Sequence, residues 1–110
     1  MSGVPFLLLT TTGPVFEGIV GSVHLPTTQG EIQVLAGHAD YSAVVGVGWI
    51  RADGVISEKG SSNKTLQEWL VLNGLIKISS GRVELLADRV YLKGAPEITS
   101  QLLSEYPQVT

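Results

Sequence analysis

The chain has 110 residues, 44% of them apolar, with seven Lys/Arg against ten Asp/Glu and a net charge of −3. That length suits one domain with a real core, burying roughly two-thirds of the surface its unfolded chain exposes. The absence of cysteine excludes a disulfide framework, a thiolate nucleophile and a Cys-bearing zinc site, and fits a reducing compartment.

The basic residues are scattered, so no face offers the phosphate neutralisation that nucleic-acid binding needs. No apolar run approaches the roughly 20 residues of a membrane-spanning helix. The N-terminus has neither the basic stretch of a signal peptide nor the Arg-rich character of a transit peptide. The expectation is a soluble domain with no direct membrane insertion, held at a membrane only through a partner.

Residues 6–11 read as a first strand, followed by a turn at Thr12-Gly13-Pro14. Residues 15–20 begin a second extended segment that Gly18 and Gly21 interrupt. Residues 21–25 continue extended. Pro26 and the polar run to Gly30 predict a break and a hairpin turn, with Ile32 and Val34 on the returning strand and a second break at Gly37. Residues 41–45 and 49–52 read as two short strands separated by a turn at Gly46-Val47-Gly48. Asp53-Gly54 is a hairpin signal. Alternatively, the strand continues past a kink and reverses in the polar loop 59–64.

Residues 66–72 carry apolar side chains on both faces, the mark of a strand covered on both sides. Asn73-Gly74 reads as a hairpin turn. Residues 75–78, a turn at Ser79-Ser80-Gly81 and a last strand at 82–87 follow. Turn signals every eight to twelve residues predict a mainly β fold, an antiparallel sandwich or barrel. Residues 96–105 have apolar positions 98, 102 and 103 at helical spacing, with Pro96 suited to a first helical turn and Pro107 ending the helix. The domain division this implies is 1–92 for the β domain and 93–110 for a linker and short helical tail.

Little in the chain points to chemistry. His38, Asp40 and Ser42 are the nearest thing to a base, an orienter and a nucleophile, yet sequence proximity alone does not supply triad geometry. His24 and His38 lack a metal-binding spacing, even with Glu31 or Asp40 added. No phosphate-cradling glycine motif is present. The expectation is no catalytic residue, no metal and no cofactor. Trp49 and Trp69 are candidates for an aromatic ligand platform in a stand-alone β-sandwich binding module, although strand tryptophans more often serve cores and interfaces.

The run L-P-T-x-x-G-E-I-x-x-L-x-G-H-A, residues 25–39, resembles the signature loop pair of the epsilon subunit of F-type ATP synthases. Thr12 to Gly18 are similar to that family's T-P-x-G-x-V-F-E-G. Val71 to Ile78 resemble its S-G-G-F-V-E-V, and Val83 to Asp88 its V-T-V-L-A-D, all in the family's order across residues 6–88. The resemblance implies a flattened antiparallel β-sandwich. It also implies a non-catalytic rotor subunit on the central stalk that binds the gamma subunit and the membrane c-ring, and through them serves the alpha and beta catalytic subunits. Such a subunit lies at the cytoplasmic face of a bacterial membrane, or on the stromal side in a plastid. By the same resemblance, Glu31, Gly37 and His38 fall at the end that faces the c-ring.

Departures from the family pattern are specific. Ala36 and Asp40 stand where the family has prolines, which predicts a less rigid loop. Asn73 replaces the first glycine of G-G, and residues 54–63 form a longer stretch than usual. Family members continue into a helical hairpin that binds ATP or inhibits hydrolysis. The short tail here leads to the expectation that ATP sensing and inhibition are absent.

Overall fold

The computed structural model describes residues 3–54 and 66–105 and the backbone of residues 57–58. Among the described residues eight strands pair: β1 (Val4–Thr10), β2 (Gly13–Val20), β3 (Ser22–Thr27), β4 (Gly30–Val34), β5 (Tyr41–Asp53), β6 (Ser57–Glu58), β7 (Leu66–Ser79) and β8 (Arg82–Leu92). They form one sheet in the order β4-β3-β5-β7-β8-β1-β2-β6. The pairing is antiparallel except where β1 runs parallel to β8, Phe6 opposite Val83 through Thr10 opposite Ala87. The mainly β sandwich fold is as expected; the parallel pair was not.

The sheet folds over through three long strands. On β5 the core positions are Tyr41, Ala43 and Val45, then Ile50 and Ala52. On β7 they are Trp69 and Val71, then Ile76 and Ile78, and on β8 Val83, Leu85 and Ala87, then Val90. Each strand therefore slips one residue in its period-two alternation. The slips fall side by side at Gly46 (φ 72°), Asn73 (φ 57°) and Asp88, and the Asn73 side-chain amide donates to Asp88 Oδ2 at 3.4 Å. A one-residue slip sends the following side chains to the opposite face. Both halves of each strand thus turn apolar residues toward one interior, and a single sheet becomes two layers.

This corrects two expectations. Asn73-Gly74 and Gly46-Val47-Gly48 are not hairpin turns but mid-strand bends, because the segments on either side keep the same neighbours. A third correction is Pro26, which stays inside β3 opposite Glu31 instead of ending it. The β3–β5 pairing covers only Ser22–His24, so on the β5 side no ladder requires an N–H from residue 26. The turn at Ser80 (φ 52°) and Gly81 (φ 77°) is the expected hairpin. β8 runs five residues past its predicted end, to Leu92. Asp53 closes β5, and the polar loop 59–64 and Pro107 lie outside the described residues.

Phe6, Phe16 and Trp69 anchor the core, with ring centroids 5.3 to 6.1 Å apart. The helix, α1 (Ser100–Ser104), is shorter than predicted. Its N-cap is Thr99, whose Oγ1 accepts from the Leu102 amide at 3.1 Å, so Pro96 lies in the turn before the helix, not in its first turn.

Candidate functional site

The three residues singled out by the resemblance sit around β4. Glu31 is the second residue of the strand, one pair in from the Thr27–Gly30 turn. That turn is tightened by Thr27 Oγ1, which donates to the Gly30 carbonyl at 2.7 Å and accepts from the Gln29 amide at 3.1 Å. Glu31 is exposed, and among the described residues its carboxylate has no hydrogen bond or ion pair. Gly37 (φ 80°) and His38 lie in the loop that leaves the other end of β4. The His38 amide donates to the Leu35 carbonyl at 3.2 Å, and its ring stands edge-on to Tyr41 at 6.1 Å. No contact joins Glu31 to His38.

His38 Nδ1 is 2.6 Å from the Ala39 carbonyl oxygen, which only accepts, so Nδ1 carries the proton and Nε2 is the nitrogen left for a partner. The Asp40 carboxylate accepts from the Ser80 amide at 3.0 Å. The structure therefore does not assemble His38, Asp40 and Ser42 as a triad. Nor does it bring His24 to His38, and among the described residues no three His, Asp or Glu side chains are grouped to hold a metal.

The two tryptophans do not form a joint platform. Trp69 is 2% exposed inside the aromatic core, while Trp49 is half-buried and pairs with Leu70, the residue next to Trp69 on β7. Neighbouring strand residues point to opposite faces. Only Trp49 is available to a ligand.

Two rows across the strands escaped the sequence reading. One is polar: Gln33, His24, Arg51 and Glu68 stand opposite one another on β4, β3, β5 and β7, and Lys93 Nζ reaches Glu68 at 3.3 Å. Asp53 ties the row together, its Oδ2 lying 3.0 Å from Arg51 Nε and 3.2 Å from His24 Nε2. The other row is apolar: Val44, Leu75, Leu86 and Leu9 align across β5, β7, β8 and β1 on the outer face. Leu75 is 56% exposed, Leu86 48% and Val44 46%. No local signal in the sequence marks these residues as a set; only strand register aligns them.

Residues 4–93 match the model of the family described as ATP synthase, Delta/Epsilon chain, beta-sandwich domain. The ATP synthase epsilon chain of Wolinella succinogenes is 33% identical over 81 residues, which is 74% of this chain and 56% of that protein. That of Campylobacter curvus is 35% identical over 92 residues, 82% of this chain and 65% of that protein. The chain thus spans between about half and two-thirds of the length of these relatives. Two solved structures share the fold. One is a chain of the Euglena gracilis mitochondrial ATP synthase OSCP/F1/c-ring assembly (TM-score 0.72, 16% identity, 96% of this chain and 64% of that one). The other belongs to the central stalk and c-ring of the Tetrahymena thermophila mitochondrial ATP synthase (TM-score 0.64, 14% identity, 94% and 84%). By the match over residues 4–93 and the identity to its relatives, the chain belongs to the family of ATP synthase delta/epsilon-chain β-sandwich domains.

Proposed function

We propose that this chain is a non-catalytic rotor subunit in the central stalk of an F-type ATP synthase. It binds the gamma subunit along the outer apolar row and meets the c-ring through Glu31, Gly37 and His38. In this way it helps couple ion translocation to ATP synthesis in the alpha and beta subunits. It uses no cofactor or metal of its own. Residues 1–92 serve as the sandwich unit and 93–110 as its linker and tail. It acts as a peripheral subunit on the cytoplasmic side of the membrane. No helix among the described residues is long and apolar enough to cross a membrane.

The observation that carries this reading is the row Val44–Leu75–Leu86. Three adjacent strands place large apolar side chains in register, about half exposed, on the outside of a domain whose interior is already filled. Covering each would contribute about 1 kcal/mol, and a contiguous apolar patch of this kind marks an interaction surface. Two structures with the same fold come from assemblies that contain a c-ring.

The test is co-purification of the chain with the gamma subunit and c-ring from the same source. Stoichiometric co-elution is expected. A clean monomer in the presence of both would overturn the reading.

A further inference from the structure

Beside the polar row lies a cleft of about 470 Å³ whose lining includes His24, Glu31, Gln33, Trp49, Arg51 and Glu68. Its charges are mostly answered within the fold. Arg51 and His24 both turn to Asp53, and Glu68 is paired with Lys93. Asp53 thus engages both the guanidinium and the imidazole of the cleft. Among the described residues the Glu31 carboxylate has no hydrogen bond or ion pair, and it lines the same cleft as the half-buried Trp49 indole.

We propose that this cleft receives a guanidinium group, an arginine side chain of the partner that meets this part of the domain. The Trp49 ring is the stacking face, and the Glu31 carboxylate is the counter-charge. An uncompensated carboxylate selects a cation. An aromatic face beside it selects the cation that stacks, because guanidinium is planar, weakly hydrated and able to bond a carboxylate with two parallel N–H groups. Gln33 lies two residues from Glu31 on the same strand, so its amide oxygen offers a further acceptor on the same side. An ammonium group would satisfy Glu31 but use the indole less well. The identity of the partner rests on the rotor reading above; the chemistry of the cleft does not.

The experiment is an NMR titration of the full chain with the blocked peptide Ac-Gly-Ser-Arg-Ser-Gly-NH2 and with the same peptide carrying citrulline, the neutral isostere. The arginine peptide should shift the Trp49 indole and the Glu31 and Gln33 amides saturably at millimolar concentration. The Trp69 indole should stay unmoved. Citrulline should bind at least about fivefold more weakly, and Glu31→Gln or Trp49→Leu should each cost about fivefold. Trp49→Phe, which keeps a ring face, should lose less than Trp49→Leu. The Trp69 signal, buried in the core, reports whether each variant has folded.

Equal responses to arginine and citrulline, shifts centred elsewhere, or no saturation would overturn the proposal. Co-purification with gamma and ring is a separate readout. Peptide binding without co-purification would keep the cleft and remove the partner. Co-purification without peptide binding would remove the cleft and keep the rotor role.

Discussion

The carboxylate of Asp40 accepts a hydrogen bond from the backbone amide of Ser80, 3.0 Å away and forty residues along the chain. It anchors the loop between β4 and β5 to the β7–β8 turn. The loop lacks prolines at 36 and 40, and this tie supplies part of the restraint that prolines would give. Asp40→Ala should lower stability by about 0.5–1 kcal/mol, since the bond is exposed, and speed hydrogen exchange at the Ser80 amide. Asp40→Asn keeps an acceptor and should stay near the parent protein. An unchanged Ser80 exchange rate in Asp40→Ala would show that the tie is not populated in solution.

Gly48 on β5 has no room for a side chain, because a Cβ there would collide with the Pro26 ring. Gly48→Ala should destabilise the fold by about 1–3 kcal/mol in urea denaturation. Trimming the ring relieves the clash, leaving Pro26 Cβ at 3.5 Å from the new methyl. The double variant Pro26→Ala/Gly48→Ala should therefore be more stable than the sum of the singles implies. Strict additivity would mean that the two residues do not touch.

Asn73 holds a φ of 57° where the alternation of β7 reverses. Asparagine tolerates that region, glycine enters it freely, and a β-branched residue resists it. Asn73→Gly should fall within about 0.5 kcal/mol of the parent, trading backbone relief against the bond to Asp88. Asn73→Val should lose about 1–2 kcal/mol. Equal stability of the two variants would argue against a left-handed backbone at this position.

Leu75→Glu puts a charge in the middle of the outer apolar row. As a change at an exposed position it should alter folding stability by less than about 0.5 kcal/mol. Under the rotor reading it should abolish co-elution with the gamma subunit while far-ultraviolet circular dichroism stays unchanged. Retained co-elution would move the gamma contact to another face.

Replacing Glu31 and His38 together with alanine should weaken association with the c-ring. Glu31 makes no side-chain bond to a described residue, and His38 gives up one bond to the Ala39 carbonyl and an edge contact with Tyr41. The thermal midpoint should therefore fall only by the amount that about 1 kcal/mol produces. Wild-type retention of the ring, or a collapsed fold, would each count against the assignment of these residues.

The sequence by itself determined the family and the broad element order. The motif residues occur in order from Thr12 to Asp88, and turn chemistry at Thr27–Gly30 and at Ser80-Gly81 acts through local φ and side-chain bonds that need no distant partner. Only the tertiary structure decided what Gly46 and Asn73 do. A left-handed residue serves a reversal and a one-residue slip equally well, and the outcome depends on whether the flanking segments keep the same neighbours across the sheet. The same holds for Trp49 and Trp69: their faces follow from the slips at Gly46 and Asn73, which no local pattern announces. The polar row from Gln33 to Lys93 and the apolar row from Val44 to Leu9 are likewise products of register. Cross-strand alignment joins residues tens of positions apart, and it is set by the burial of the whole interior rather than by any single stretch of chain.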